Sequence, residues 1–166
     1  MKFLLCFGYF VFISLGLFGV GRYIPKSWIR PDSLFFRLHA YEQNGKLYER
    51  MKLKNWQNKL PDMSKVWPWM PPKKMHDFRH RLPEMIHETC VAELTHRILP
   101  VLGLFAIRIW PEWGWLLSLL YAIGHQPFIW MQRYNRPKLM RVYKKIHNKS
   151  TREATQQGGK PIKCEL

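Results

Sequence analysis

Two long stretches of the chain carry no formal charge, and a third comes close. Phe3–Gly21 runs nineteen residues with Ser14 as its clearest polar break. As a helix rising ~1.5 Å per residue it spans roughly 28 Å, about the hydrocarbon thickness of a bilayer. Trp113–Met131 is a second run of the same length, and Ile98–Ile107 is shorter. The short run reaches span length as a helix from Leu94 to Trp110. The pattern predicts an all-α membrane protein with about three transmembrane helices, near residues 3–21, 94–110 and 113–131. Residues 1–149 form one membrane-embedded domain, and 150–166 are expected to be a flexible basic tail. The first run also resembles a cleavable secretory signal, with Lys2 before it and Gly19-Val20-Gly21 at its end. It is longer than the usual ~7–15-residue apolar core of such signals, so a retained span is expected.

Between the spans the pattern breaks up. Seven prolines, from Pro25 to Pro83, punctuate residues 22–83 and limit helices outside 32–60 to about three turns. Asp32 or Ser33 is placed to cap a short helix through Leu34-Phe35-Phe36. Asn44-Gly45 signals a turn, and Trp67-Pro68-Trp69 before Lys73-Lys74 suits a headgroup contact. Pro83-Glu84 begins a new helix, since proline fits the first turn and an acid favours the positive end of the helix dipole. That helix is expected to continue into the second span, with a kink at Pro100.

Charge fixes an orientation on this pattern. The chain of 166 residues has 27 Lys+Arg against 11 Asp+Glu, a formal net charge of +16. Nearly all of it lies in two blocks, residues 22–90 at +7 and 132–166 at +8, flanking a net-neutral segment. Both basic blocks face the cytoplasm if two spans lie between them. This predicts the N-terminus outside, and the loop 22–93 and the C-terminus inside. Trp110, Trp113 and Trp115 then lie at the outer interface, Trp130 near the inner one. The surplus charge calls for a bilayer with anionic headgroups as partner. No nucleic-acid partner is expected, because no helix-turn-helix or RNA-recognition motif accompanies it. The cysteines Cys6, Cys90 and Cys164 are too scattered for a disulfide framework or a zinc site.

Polar residues inside this frame carry the candidate chemistry. In HETCVAELTHR, residues 87–97, Glu88, Glu93 and His96 fall within an arc of about 140° at ~100° per residue. Glu93 and His96 are i, i+3 neighbours at the membrane boundary, where ionisable side chains default to function. Three readings fit: a general base with a carboxylate to orient it, a metal site, or a structural salt-bridge set with Arg97. The zinc-protease pattern fails, because Val91 stands where a second histidine is needed. Further on, Gly124-His125-Gln126-Pro127 interrupts the third span, and QRYNRP follows at 132–137. Arg133 and Arg136 there flank Asn135, and guanidinium forks favour phosphates and carboxylates. The predicted topology brings Glu93, His96, Arg133 and Asn135 to one cytoplasmic site.

Three segments carry a resemblance: YEQNGKLYERMKLKNWQNKLPD at 41–62, HETCVAELTH at 87–96 and QRYNRPKL at 132–139. With their apolar context they resemble the glycosyl-4,4'-diaponeurosporenoate acyltransferase family of small bacterial membrane proteins, over roughly residues 22–145. The resemblance implies transfer of a fatty acyl group onto a sugar hydroxyl of a glycosylated C30 carotenoid, or a similar lipid-linked glycoside. It places this in the bacterial cell membrane, as in the last step of staphyloxanthin-type synthesis. It carries over the motif positions Trp56, Lys59, Glu88, Glu93, His96, Gln132, Arg133, Asn135 and Arg136; we take Trp56, Lys59, Gln132, Arg133, Asn135 and Arg136 as substrate-binding and Glu88, Glu93 and His96 as catalytic. The expected roles are His96 as base oriented by Glu93, with Arg133 or Arg136 holding an anionic group of the donor. No metal and no cofactor are expected beyond an acyl donor such as a fatty acyl thioester. A complex with other pathway enzymes is an expected partner. Lys138 stands where the family pattern suggests arginine, and His125 where an amide is usual. The competing reading is a non-catalytic membrane subunit that docks a glycosyltransferase or another lipid-modifying enzyme.

Overall fold

The computed structural model describes residues 1–56 and 81–156, and among these no strand occurs. The first helix, α1, is Lys2–Arg22. It is apolar on every side, and Leu4, Phe12 and Val20 project outward while Cys6 and Gly21 turn inward. A helix apolar all round needs either a protein core or lipid about it. After α1 come single turns and the short helices α2, Lys46–Arg50, and α3, Leu53–Trp56. Two long helices complete the described fold: α4, Leu82–Gly103, and α6, Gly114–Gln156, joined through the four-residue α5, Ala106–Ile109.

α1 and α6 each run antiparallel to α4. Tyr9 donates its hydroxyl to the Leu102 carbonyl at 2.8 Å, and the Ser14 and Tyr121 hydroxyls meet at 2.7 Å. Phe10 stacks on Tyr121 at 4.3 Å between centroids. At one end of the bundle Lys2 pairs with Glu112; at the other, Gly21 lies against Val91 and Thr95. Gly103 is the tight point, because a Cβ there would come within 2.8 Å of the Tyr121 ring.

Pro83 enters α4 in its first turn, where its missing N–H costs nothing. Pro100 removes a donor near the far end, and the Leu104 and Phe105 N–H groups fall back on the carbonyls three residues before them. The chain then turns through Pro111–Trp113. The Ser118 hydroxyl lies 2.8 Å from both the Gly103 and Gly114 carbonyls and pins the start of α6 to the end of α4.

Two helical segments, Lys2–Arg22 and Leu82–Ile109, are long and apolar enough to cross a membrane. The third expected span falls within α6 but does not meet that measure, since Gly124-His125-Gln126-Pro127 interrupts its apolar run. α6 continues through Pro127 and Pro137 to Gln156. The expected cap at Asp32 or Ser33 yields only turns: the Phe36 and Arg37 N–H groups bond the Ser33 carbonyl at 3.0 Å. Gly45, at φ +95°, makes the turn before α2. The Trp67-Pro68-Trp69 segment and residues 157–166 lie outside the described residues.

Candidate active site

The three resembling segments meet at one end of the bundle. Glu42 comes from the loop, Glu93 from α4, and Arg133 and Arg136 from α6. Both carboxylates are 0 % exposed, and the two arginines are 3 % and 2 % exposed. Arg133 Nε and Nη2 bond the two Glu42 oxygens at 2.7 and 2.5 Å, and Nη1 bonds Glu93 at 2.8 Å. A further Nη2 donor reaches the Arg37 carbonyl at 2.9 Å. Arg136 bonds Glu93, the Thr89 hydroxyl and carbonyl, and the Phe36 carbonyl. Arg97 adds a third guanidinium to Glu93 at 2.6 Å. The buried Tyr48 hydroxyl donates to Glu42.

Local folding makes this possible. At His39 the chain enters the turn Ala40–Gly45, and the Glu42 carboxylate accepts the His39 N–H at 2.5 Å as its cap. The cap turns Glu42 inward, toward α6. Arg133 and Arg136, three apart on α6, share the face that packs on α4. The side chains of Tyr48, Leu53 and Tyr134 close over one side, and those of Ile29, Phe36 and Cys90 over the other. Phe36 also underlies Arg136, 5.0 Å from ring to guanidinium.

Burial on its own would raise the Glu42 carboxyl. The hydrogen bonds from Arg133, Tyr48 and the His39 N–H outweigh it and hold the group at about 2. Burial would likewise lower Arg133, but Glu42 and Glu93 raise it beyond its ordinary value. The Tyr48 hydroxyl is raised, first by burial and then by the Glu42 charge. All three groups keep their usual charge at neutral pH.

Four of the five N–H donors on Arg133 and four of those on Arg136 are spent inside the protein, so neither is the open fork expected for an acyl donor. The expected Glu93–His96 pair does not form, because three guanidinium groups take the carboxylate in preference to an imidazole. His96 instead faces α6. Its Nδ1 lies 2.9 Å from His125 Nδ1, and its ring stacks on Phe128 at 4.8 Å between centroids. For Glu93 the geometry matches the salt-bridge reading with Arg97.

The other expected positions are dispersed. Glu88 stands exposed on α4, and Gln132 is half-buried on α6. Asn135 lines a cavity of about 570 Å³ with Lys52, Lys54 and Lys138. Trp56 donates its indole N–H to the Met51 carbonyl at 3.1 Å and packs on the Tyr48 cluster. Lys59 lies outside the described residues. Among the described residues no group of three or more His, Cys, Asp or Glu side chains is arranged to hold a metal ion.

Residues 25–145 match the family described as glycosyl-4,4'-diaponeurosporenoate acyltransferase. The chain belongs to this family. It is an acyltransferase by that membership. The enzymes of that name from Staphylococcus aureus strains MRSA252 and Newman are each 27 % identical to it over 156 residues. The alignment covers 89 % of this chain and 91 % of each relative. No solved structure matches. The match takes in every residue of the buried network, Glu42, Tyr48, Thr89, Glu93, Arg97, Arg133 and Arg136, as well as His96 and His125. Sequence reasoning did not single out Glu42, Tyr48, Thr89 or His125 as site residues, although the first three lie inside the resembling segments.

Proposed function

We propose that this protein transfers a fatty acyl group onto a sugar hydroxyl of a membrane-borne glycoside, a glycosylated C30 carotenoid or a similar lipid. The names of the Staphylococcus aureus relatives support the acceptor class. The single observation that carries the catalytic reading is the His96–His125 contact at 2.9 Å, one residue along each helix from a cavity wall formed by Arg97 and Gln126.

The chemistry follows from the contact. With His96 Nδ1–H as the donor to His125 Nδ1, His96 Nε2 is left unprotonated. That nitrogen accepts the proton of the sugar hydroxyl as its oxygen attacks the acyl carbonyl. A new ester C–O bond forms, the bond to the donor's leaving group breaks, and the proton passes from His96 to that group. His125 stays neutral and is a positioning residue. The buried carboxylate–guanidinium network holds α4, α6 and the loop in the register that lets the two rings meet.

The reading extends to the membrane. α1, Leu82–Ile109 and the first half of α6 make three crossings, with the Lys2–Glu112 end outside and the loop and the basic half of α6 in the cytoplasm. In this orientation the histidines lie just within the inner leaflet, in reach of a lipid-borne hydroxyl. The test is expression in cells that make the glycosylated carotenoid but lack its acyltransferase, with extracted pigments resolved by mass. A mass gain of one acyl residue that disappears in His96→Ala supports the enzyme. Unchanged acylation in His96→Ala removes the histidine from the mechanism. Absence of acylated product with the wild-type chain favours a subunit that docks another lipid-modifying enzyme.

A further inference from the structure

A cavity of about 320 Å³ opens beside the network, between α4, α6 and the loop. Its wall includes Arg97, Arg133, Tyr41, Gln126 and Trp130. Arg97 is the unfinished member of the network. Its Nη2 is spent on Glu93, and Phe35 lies under its guanidinium at 4.7 Å, yet its Nε is buried with no hydrogen-bond partner among the described residues. Burying a donor on a charged group without a partner is costly.

Charge points the same way. The hydrogen-bonded set holds three guanidinium groups, Arg97, Arg133 and Arg136, against two carboxylates, Glu42 and Glu93. It is therefore one positive charge in excess, and Arg97, at 31 % exposure, is the one of the three that a ligand can reach. The cavity offers that charge beside an amide, Gln126, and two aromatic faces, Tyr41 and Trp130. Such a pocket combines apolar walls with convergent polar groups, at the small end of ligand-site volumes.

We infer that this cavity is an oxyanion-binding site anchored by Arg97, and that it takes the phosphate or carboxylate group of the acyl donor. The assignment to the donor rests on the acyltransferase reading above; the anion site itself does not. Arg97 thus replaces Arg133 and Arg136 as the guanidinium that meets substrate. It binds through guanidinium donors that Glu93 does not take, on its exposed side, while the other two hold the wall behind it.

Titration calorimetry on the full chain in dodecyl maltoside micelles tests the site with three probes: inorganic phosphate, dodecyl phosphate and dodecanoate. One saturable site per chain is expected for at least one probe. Arg97→Gln is expected to weaken it at least ~10-fold, as loss of a charged hydrogen bond implies, and Arg97→Lys to restore part of the loss. Inorganic phosphate binding as well as dodecyl phosphate identifies the headgroup as the recognised part, and preference for the alkyl anions identifies a lipid-borne donor. Gln126→Leu, which leaves the Arg97–Glu93 bond intact while changing the cavity wall, is a second variant expected to weaken binding. No saturable binding of any probe, or Arg97→Gln binding as tightly as the wild type, overturns the site. Binding is read without turnover, so acyl transfer without an anion site sinks this inference alone. An anion site in a chain with no transfer sinks only the enzymatic reading.

Discussion

His96 and His125 meet Nδ1 to Nδ1 at 2.9 Å across the α4–α6 interface. One ring must donate and the other accept, so the pair fixes which nitrogen of each faces away. If His96 Nε2 is the base, His96→Ala lowers acyl transfer by about 10²–10⁴-fold, the usual worth of a general base. The check is acyl transfer per folded chain, with helicity compared by circular dichroism.

The role of His125 is separable from that of His96. His125→Asn keeps an acceptor for His96 Nδ1–H and is expected to retain most activity. His125→Leu removes the acceptor and is expected to cost about fivefold in kcat, the worth of about one hydrogen bond. Equal activity in the Asn and Leu variants would remove His125 as the positioning residue.

The Glu93 hub predicts a stability effect much larger than its effect on surface charge. Arg136→Ala leaves a buried carboxylate partly unmatched and is expected to destabilise by about 3–5 kcal/mol. Arg81→Ala breaks an exposed pair with Glu84 and is expected to cost less than about 1 kcal/mol. Unfolding in detergent micelles compares the two, and similar losses would contradict the network as described.

Acid sensitivity follows from Glu42. Its carboxyl is held at about 2 in the folded chain, below the ordinary 4.5. A depressed carboxyl contributes stability in full above its unfolded value, and the contribution fades as pH falls from about 4.5 toward 2. Glu42→Gln is therefore expected to flatten this part of the curve of unfolding midpoint against pH, at the expense of lower stability at neutral pH. An unchanged slope below 4.5 would count against the assignment.

The helix crossing gives a steric test. At Gly103 the space for a Cβ is taken by the Tyr121 ring at 2.8 Å. Gly103→Val is expected to cost about 1–3 kcal/mol through forced repacking, and Gly103→Val with Tyr121→Ala to recover part of it. Gly16→Val, where nothing lies within 4 Å, is the control and is expected to be near neutral.

Charge-free runs made α1, the break near Pro100 and the start of α6 legible, because an apolar run of span length has few other uses. The meeting of Glu93 with Arg133 was also legible, since antiparallel spans force their ends together. Glu42 was not. Its turn is closed by a cap hydrogen bond, and its partner lies on a helix far along the chain, so neither periodicity nor spacing records the pairing. The pairing of His96 with His125 escaped for a similar reason: helical spacing reports neighbours on one helix, and Glu93 was the nearer carboxylate by that rule. Competition among three arginines for that carboxylate is a tertiary fact. The length of α6 was not legible, because the charge-free run stops at Met131 while the helix carries both Pro127 and Pro137 and continues to Gln156.

Glu42 and Arg133 are separated by 91 positions in the chain. A ribosome adding about 5–20 residues per second needs several seconds to cover that distance. Throughout that interval the loop segment has been made but the guanidinium that completes it has not. Its carboxylate stays hydrated, and the Tyr48 side has nothing from α6 to close against. The loop is thus shaped from behind by the last helix among the described residues. A chain truncated before residue 133 keeps the two helices long and apolar enough to cross a membrane, but lacks the guanidinium that anchors Glu42.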